Sequence, residues 1–260
     1  SSNTFVGTSA ASQQTTASNN TAVGHSALNA NQSGASCTAV GREAGKTSTS
    51  ASHNTLIGAE SFKTTTGGGN TGLGSQSGES CTSGQLNTAL GYLAGNALTT
   101  GDNNLLIGHR AGTSNSPAEI DDDDNRIVIG DNNITDIYIK VSPNVTSDER
   151  DKTEITNFTK GLDFVNSLRP VTYKWDMRSN YSDDLSVTPD GTHKAEKTEV
   201  GLIAQEVETI EKANGYATDE NNRLFITKST NEKQYGIKYE RLIVVLINSI
   251  KELSTKVTAL

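Results

Sequence analysis

The hydrophobic and polar positions of the first 108 residues repeat at a nearly constant interval. Each repeat reads asparagine, threonine, any residue, an aliphatic residue and glycine, with a cysteine for the asparagine in the third copy and Leu105 for the threonine in the seventh. Successive starts are 17, 17, 17, 16, 17 and 17 residues apart. Such a period is typical of a solenoid or a stacked array. The seven copies are 3–7, 20–24, 37–41, 54–58, 70–74, 87–91 and 104–108.

Side-chain alternation within each copy predicts a four-residue strand. We expect threonine and the aliphatic residue to point to one face of that strand, and asparagine and the middle residue to the other. The glycine lets the chain turn. Small pairs follow at the third and fourth positions after it, as in Ala44-Gly45, Ala94-Gly95 and Ala111-Gly112, where neighbouring backbones must approach closely.

Stacked coils of this kind predict a thin rod with a weak core. At about 4.8 Å per coil, seven copies extend roughly 30 to 35 Å. One aliphatic residue per coil buries too little apolar surface to offset the chain entropy of a single subunit. The pattern therefore favours a homotrimer in which three solenoids share one axial core. Two short strands, 125–130 and 136–139, are expected to end the shaft, and Pro143 marks its exit.

The pattern changes to mixed helices and strands in the second half. The segment 158–168 is amphipathic and predicts a helix that Arg169-Pro170 stops, while the polar segment 180–197 predicts a long loop or hairpin extension. The other predicted elements are a strand at 171–175, a strand that begins at 200 and passes into a helix reaching about Ala213, and a strand pair at 224–226 and 234–237.

The last element, a helix over 239–260, carries a heptad stripe. Its apolar residues are spaced 4, 3, 4, 3, 4 and 3 apart, which favours a parallel bundle and is compatible with three strands. The alternative is a core stripe that packs against its own domain. The stripe consists of Tyr239, Ile243, Leu246, Ile250, Leu253, Val257 and Leu260.

Charge and composition narrow the functional classes. The formal net charge is −8, with 22 Lys/Arg against 30 Asp/Glu, and no block of basic residues is present to neutralise phosphates. Nucleic acid is therefore not an expected partner. No 18-residue apolar run and no signal-like segment occurs, so we expect no membrane insertion.

Three polar features leave alternatives open. Asp121, Asp122, Asp123 and Asp124 form either a solvated, repulsive loop or a calcium site, although adjacent carboxylates lack the alternating spacing of a calcium loop. The histidines His25, His53 and His109 are either exposed turn residues or stacked metal ligands. Cys37 and Cys81 are either small buried residues or a disulfide. We predict no metal and no cofactor.

Both halves resemble known families. The repeats resemble the heads of trimeric autotransporter adhesins and the shafts of phage tail fibres. The segments 147–152, 168–175, 201–207 and 239–242, in that order, resemble the C-terminal intramolecular chaperone domain of endosialidases, phage tail spikes and tail fibres. The resemblance implies a trimeric folding clamp that cuts itself free at the Thr146–Ser147 bond. It further implies that Ser147 is the nucleophile and Lys152 the general base, with Asp148, Arg150, Gln205 and Glu206 as supporting residues.

Spacing alone does not bring Ser147 and Lys152 together. In a helix, side chains five residues apart point about 140° away from each other, and in a strand they face opposite sides, so a turn must intervene. The lysine must also be mostly neutral, although its ordinary pKa is about 10.4. Burial or a nearby cation such as Arg150 would lower it. Burial on trimerisation would couple cutting to correct assembly.

The sequence thus predicts a mainly β, trimeric solenoid or β-roll shaft followed by an α+β chaperone domain that ends in a trimeric coiled coil. The predicted division is a shaft at 1–115, shaft-end strands at 116–146 and a self-processing chaperone at 147–260. The expected function is that of a phage tail fibre or spike, assembled in the host cytoplasm, carried on the virion and bound to a host receptor through the shaft. Alternatives are an uncleaved trimeric adhesin with 147–260 as a permanent cap and, more weakly, a glycan-cleaving enzyme.

Overall fold

The computed structural model describes residues 2–182, 185–229 and 231–260. Two compact units make up the chain. The first comprises residues up to 135 with 176–193 and 229–234, and the second comprises 136–175, 194–228 and 235–260. Residues 183 and 184 of the predicted polar extension lie outside the described residues.

The first unit is a parallel β-solenoid, which confirms the fold predicted from the repeats. Each repeat strand pairs in register with the next, so that Thr21 lies beside Thr38 and Val23 beside Val40. The strands are β1 (Thr4–Val6), β2 (Thr21–Val23), β3 (Thr38–Val40), β4 (Thr55–Ile57), β5 (Thr71–Leu73), β6 (Thr88–Leu90), β7 (Leu105–Ile107) and β8 (Ile127–Ile129), in that order across one sheet.

From β2 to β8, the middle residue of each strand points into the interior of the solenoid, whereas Phe5 in β1 is exposed. Ala22, Ala39, Leu56, Ala89 and Leu106 are fully buried. The repeat aliphatic faces outward instead, and Val6 and Leu73, for example, are 56% and 46% exposed. The predicted alternation is confirmed. Alternation left open which face is enclosed, and in the structure the middle residues are enclosed together with larger side chains such as Phe62 and Leu98.

A ladder of buried asparagines joins successive coils. The Oδ1 of Asn54 accepts a hydrogen bond from the backbone N–H of Asn70 at 2.7 Å, and Asn70 does the same for Asn87 at 2.9 Å. The side-chain amide of Asn70 donates to Gly84 O at 2.8 Å. Buried backbone groups at the corner of each coil are thereby satisfied, which explains why asparagine begins the repeat.

The repeat glycine is required where the coil turns. Gly58 has a φ of +136°, and a Cβ there would lie 2.3 Å from the carbonyl oxygen of Gly74 in the next coil. A side chain at this position would meet both backbone strain and a backbone clash. Both cysteines are buried and unpaired, which confirms the prediction of small buried residues. Burial raises the pKa of the Cys81 thiol to about 11.

An ion-pair network lies on the flank of the middle coils. Lys63 and Lys46 place their ammonium groups 3.0 and 3.1 Å from the Glu43 carboxylate, and these hydrogen bonds lower the pKa of Glu43 to about 2. Arg42 pairs with Glu60 in the next coil. The network adds a pH-dependent contribution to the stability of the shaft.

We expect the melting temperature of the shaft to fall as the pH drops from 4.5 to about 2. The folded-state pKa of Glu43 is below its unfolded value, so its contribution is present above pH 4.5 and is lost as the carboxylate is protonated. Glu43→Gln should remove that part of the pH dependence, an effect of about 2 to 4 °C, followed by circular dichroism. Repeating both melts in 1 M salt is the control, because screening should shrink the difference. Identical pH profiles for the two proteins at low salt would contradict this assignment.

The second unit has a small α+β core. Its elements are α1 (Leu162–Ser167), β9 (Val171–Tyr173), β10 (Glu199–Gly201), α2 (Ala204–Ala213), β11 (Ile226–Lys228), β12 (Tyr235–Ile237) and α3 (Leu242–Thr258). The predicted strand-to-helix passage ending at Ala213 and the long C-terminal helix are confirmed. β9 pairs with β10 and β11 with β12, each pair antiparallel. Phe164, Val207, Phe225, Ile226 and Val245 form the buried core.

Three predictions about individual elements were wrong: the starts of α1 and β11, and a strand at 136–139. The helix α1 begins at Leu162 rather than at Phe158, because the Phe158 ring packs 6.4 Å from Phe225 instead of continuing the helix. Strand β11 begins two residues late because the N–H groups of Leu224 and Phe225 donate to the buried Glu211 carboxylate at 2.7 and 2.8 Å.

The third error is the predicted shaft-end strand at 136–139, which does not form. This segment has irregular backbone, and Ile137 and Tyr138 are 70% and 93% exposed. A strand needs a paired neighbour, and none of the sheets in the described residues includes this segment.

Candidate functional site

A short turn follows Ser147 and shapes the site. The 3₁₀ turn Glu149–Asp151 is capped by Asp148, whose carboxylate accepts the backbone N–H of Arg150 at 2.9 Å. The same carboxylate accepts two hydrogen bonds from the Arg150 guanidinium at 3.0 and 2.6 Å. The N–H of Lys152 then closes on Glu149 O at 3.1 Å. These contacts reverse the chain direction within five residues.

The turn brings the side chains of Ser147 and Lys152 together. Lys152 Nζ donates to Ser147 Oγ at 2.5 Å and to the Ser147 carbonyl oxygen at 3.2 Å. The five-residue spacing required an intervening turn for this contact, and the capped 3₁₀ turn supplies it. A hydroxyl within hydrogen-bond reach of an amine is the arrangement of a nucleophile and its base.

The surroundings of the pair are polar and open. Ser147, Lys152 and the preceding Thr146 are all exposed. Arg150 was expected to act as a free cation beside Lys152, but Asp148 binds its guanidinium and partly neutralises it. The hydrogen bonds from Arg150 in turn hold the pKa of Asp148 below its usual range. The burial that would favour a neutral lysine is therefore not present within the single chain.

The other supporting residues lie apart from this turn. Gln205 and Glu206 are in the first turn of α2, where Glu206 binds the guanidinium of Arg169, with Arg169 Nε 3.1 Å from Glu206 Oε2. This ion pair ties α2 to the segment that leads into β9. Among the residues that the structure describes, no hydrogen bond joins Gln205 or the Glu206–Arg169 pair to Ser147 or Lys152.

Helix α3 has two faces with different roles. Val245 and Ser249 are buried, and the Glu252 carboxylate accepts the N–H of Leu162 at 3.0 Å. The heptad stripe lies on the other face, and Leu246, Ile250 and Leu253 are 47%, 66% and 46% exposed. The alternative of a stripe that packs against its own domain is therefore wrong for these residues.

The first and last residues of the stripe lie outside α3. Tyr239 lies in the 3₁₀ turn Tyr239–Arg241, and its hydroxyl accepts the N–H of Leu202 at 2.9 Å. Leu260 follows the end of α3.

Residues 147–216 match the model of the peptidase family described as the chaperone of endosialidase. The C-terminal region contains an endosialidase chaperone domain. Such domains are typical of the C-termini of phage tail fibres. The match begins at Ser147, the residue after the predicted cleavage bond, and covers 70 of the 260 residues. No curated protein and no solved structure matches the chain.

Residues C-terminal to Ser147 also contact the last coil of the shaft, which sequence reasoning missed. Within the first unit, Gln234 Nε2 donates to Ser116 O at 2.9 Å, and Asn231 Nδ2 donates to Glu119 Oε2 at 3.0 Å. Gln234 Oε1 accepts the N–H of Glu119 at 2.5 Å. We call these two side chains, Asn231 and Gln234, the polar clip. No sequence signal marks it, because its partners are more than 110 residues away.

Ser179 adds a second contact with the shaft end. Its hydroxyl accepts the side-chain amide of Asn132 at 2.8 Å. Ser179 lies directly before the predicted polar extension, so this hydrogen bond fixes the start of that segment against the solenoid.

The three histidines of the repeat half differ in their contacts. His25 and His53 are exposed, as the turn interpretation expected. His109 has a carboxylate partner that sequence reasoning missed: its Nδ1 lies 3.0 Å from Asp131 Oδ2. Burial raises the pKa of Asp131, but hydrogen bonds from Asn133 and His109 outweigh it and leave that pKa below its ordinary value.

The acidic run is not the wholly solvated loop that was expected. Asp123 is buried and pairs with Arg126 at 3.4 Å, and Asp124 Oδ1 accepts the N–H of Asp102 at 2.6 Å. The acidic run belongs to the last coil of the solenoid, and these two contacts hold it in place. Carboxylate oxygens of Asp121, Asp122 and Asp123 lie within 4.8 Å of one another, so the calcium alternative stays open. No helix among the described residues is both long and apolar enough to cross a bilayer.

Proposed function

We propose that residues 147–260 guide trimerisation and folding of the β shaft of a phage fibre and then cut themselves free at the Thr146–Ser147 bond. The observation that carries the proposal is the 2.5 Å contact between Lys152 Nζ and Ser147 Oγ, at the first residues of the matched chaperone domain. The mature shaft would remain on the virion and bind the host surface.

The proposed reaction is an N-to-O acyl shift followed by hydrolysis. Ser147 Oγ attacks the carbonyl carbon of Thr146 while a neutral Lys152 accepts the hydroxyl proton. The bond from Thr146 C to Ser147 N breaks, an ester to Ser147 Oγ forms, and the proton passes to the released amine. Water then hydrolyses the ester, which leaves the Thr146 carboxylate and restores the Ser147 hydroxyl. The net change is one water added and one peptide bond lost.

Assembly is proposed to switch this reaction on. In the single chain the pair is exposed, and a lysine acts as a general base only as the neutral amine. Packing of neighbouring copies around the turn would desolvate the ammonium and favour its neutral form. An unassembled chain would then stay uncut, and only correctly trimerised fibres would lose the chaperone.

Two unpartnered apolar surfaces support a trimer. The first is the exposed stripe of α3. The second is the outward column of repeat aliphatics on the shaft, which runs along all eight strands; a flat column of this kind on a soluble rod indicates an interface. Two further copies of the chain would remove both surfaces from water. The shaft column comprises Val6, Val23, Val40, Ile57, Leu73, Leu90, Ile107 and Ile129.

The polar clip supports a direct role in folding. It binds backbone and side-chain groups of the last coil, the end from which a solenoid with non-local strand pairing can be templated. Coiled-coil association would meanwhile raise the effective concentration of the three shafts and hold them in register.

We expect the double variant Asn231→Ala, Gln234→Ala to lower the yield of soluble, protease-resistant shaft by roughly tenfold, because the three hydrogen bonds of the polar clip to the last coil are lost. The measurement is the trypsin-resistant shaft recovered after refolding from denaturant. Asn157→Ala, Asn221→Ala is a matched control, since it removes two exposed side-chain amides from the second unit. Equal recovery of the clip variant and the unaltered chain would count against a templating role.

A second function, a permanent cap on an uncleaved adhesin, is favoured by the same clip. Its hydrogen bonds would hold the chaperone segments on the shaft whether or not the junction is cut. Intact-mass spectrometry of the purified protein separates the two functions. Self-cleavage gives one chain that ends at Thr146 and one that begins at Ser147, whereas a permanent cap gives one chain of 27.5 kDa with full receptor binding.

A further inference from the structure

The shaft carries an ordered pair of exposed aromatic rings whose role the folding proposal does not explain. Tyr92 and His109 each follow a repeat glycine on successive coils, and their rings stack with centroids 5.8 Å apart and planes at 13°. About half of each side chain is exposed, with 52% for both. Neither ring contributes to the buried core of the solenoid.

The imidazole of this pair is held in one orientation. Asp131 Oδ2 lies 3.0 Å from His109 Nδ1, and the carboxylate is itself fixed by the backbone and side-chain N–H groups of Asn133 at 3.0 and 3.1 Å. The Asp131 side chain is only 9% exposed. The second ring nitrogen, Nε2, has no hydrogen-bond partner in the part of the chain that the structure describes. A fixed imidazole stacked on one face of Tyr92 holds the phenol ring in place and leaves the opposite face to a ligand.

The other face of Tyr92 looks along the shaft over small side chains. The N–H of Leu93 donates to Ser75 O at 3.1 Å, and that of Gln76 to Ala59 O at 2.8 Å, which places Ser75 and Ala59 in the same column as Tyr92, one and two coils away. The next residue of this column with a long side chain is Arg42, three coils from Tyr92, and its guanidinium is bound to Glu60. At about 4.8 Å per coil, the small residues leave a shelf roughly 10 Å long beside the tyrosine ring.

We propose that the face of Tyr92 turned away from His109 binds a neutral pyranose ring of a host surface saccharide. An aromatic face is electron-rich and attracts the C–H groups of a sugar's apolar face. The Ser75 hydroxyl is the polar group of the neighbouring coil on that side of the ring that a sugar's hydroxyls can reach. Ser75 and Ala59 are too small to form the contiguous apolar patch that a protein partner would need. The proposal gives the receptor role of the shaft a ligand class and does not depend on self-cleavage.

Saturation-transfer difference NMR on the full chain tests this site. The probes are methyl α-D-glucopyranoside, methyl β-D-galactopyranoside and the methyl β-glycoside of N-acetylglucosamine. We expect a difference signal from the ring C–H protons of at least one probe, and a roughly fivefold loss of that signal in Tyr92→Ser. Tyr92→Phe should retain it, because the aromatic face remains. Tyr138→Ser is the control for removing an exposed tyrosine elsewhere.

A second variant keeps the test valid if Tyr92→Ser folds poorly. Ser75→Phe adds a ring to the shelf and leaves Tyr92 in place, so it should abolish the signal while the melting temperature stays close to that of the unaltered chain. No signal from any of the three probes, or equal signals from the unaltered chain and Ser75→Phe, would overturn the saccharide site. Because self-cleavage is read from chain mass, that result would leave the folding proposal standing.

Discussion

Lys152→Ala and Ser147→Ala are each expected to leave the purified protein as a single chain of 27.5 kDa under conditions where the unaltered chain splits at Thr146–Ser147. Removing the nucleophile or its base should slow the acyl shift by at least about a thousandfold. Both variants should still form trimers, because neither residue lies in the apolar surfaces proposed to join the copies. Intact mass and a denaturing gel report cutting, and light scattering on a native column reports assembly.

Matched controls are available close to the junction. Lys140→Ala and Ser142→Ala change exposed residues of the same types just before the cleavage bond, and we expect both to be cut normally. If Lys152→Ala were cut at the normal rate, Lys152 would not be the base. If the unaltered trimer were never cut, the self-cleavage proposal would fail while the proposed role in folding would remain.

Breaking the α3 stripe is expected to have the second large effect. In Leu246→Asp, Ile250→Asp, six carboxylates per trimer would enter an apolar seam, and each would lose several kcal/mol of solvation there. We expect the mass in solution to fall from three chains to one. Because both residues are exposed in the single chain and the α3 face carrying Val245 and Ser249 is unchanged, the fold of the second unit should persist.

The same variant tests the coupling between assembly and cutting. A chain that cannot trimerise should stay uncut, since Lys152 remains solvated. Thr255→Asp introduces a carboxylate at an exposed position of the same helix outside the stripe and should leave both trimer and cleavage intact. Efficient cutting of a monomeric Leu246→Asp, Ile250→Asp chain would show that burial between copies is not the switch.

Sequence patterns predicted the fold well where one short-range rule repeats. The 17-residue period predicted the solenoid because each copy must supply a turn glycine, a corner asparagine and a strand at the same place in its coil. The eighth strand was predicted as a shaft-end strand at 125–130, but the period did not predict it as the next coil, since the Asn104 Oδ1 accepts the N–H of Arg126, 22 residues on, across a longer coil. The longer coil also separates His109 from Asp131 by 22 residues, so the 17-residue period did not predict their contact.

The sequence did not predict which side chains pack against each other in neighbouring coils. The buried ring of Phe62 lies where a Cβ at Gly78 would come within 2.5 Å of it, and a Cβ at Gly72 within 2.7 Å. One large side chain therefore requires two glycines in other parts of the shaft. Which residue of each strand enters the core was left undecided for the same reason, because alternation defines two faces but not which of them is enclosed.

The sequence by itself determined the repeat, the two-part organisation, the chaperone motifs and the apolar stripe of the last helix, because residues close together along the chain define each of these features. Only the tertiary structure decided that the middle strand residues are enclosed while the repeat aliphatics face outward, that a capped turn joins Lys152 to Ser147, and that a polar clip reaches the shaft end. Those features depend on side-chain volume within a closed coil, on the geometry of one short turn and on contacts between residues more than 100 positions apart, and local patterns carry none of that information.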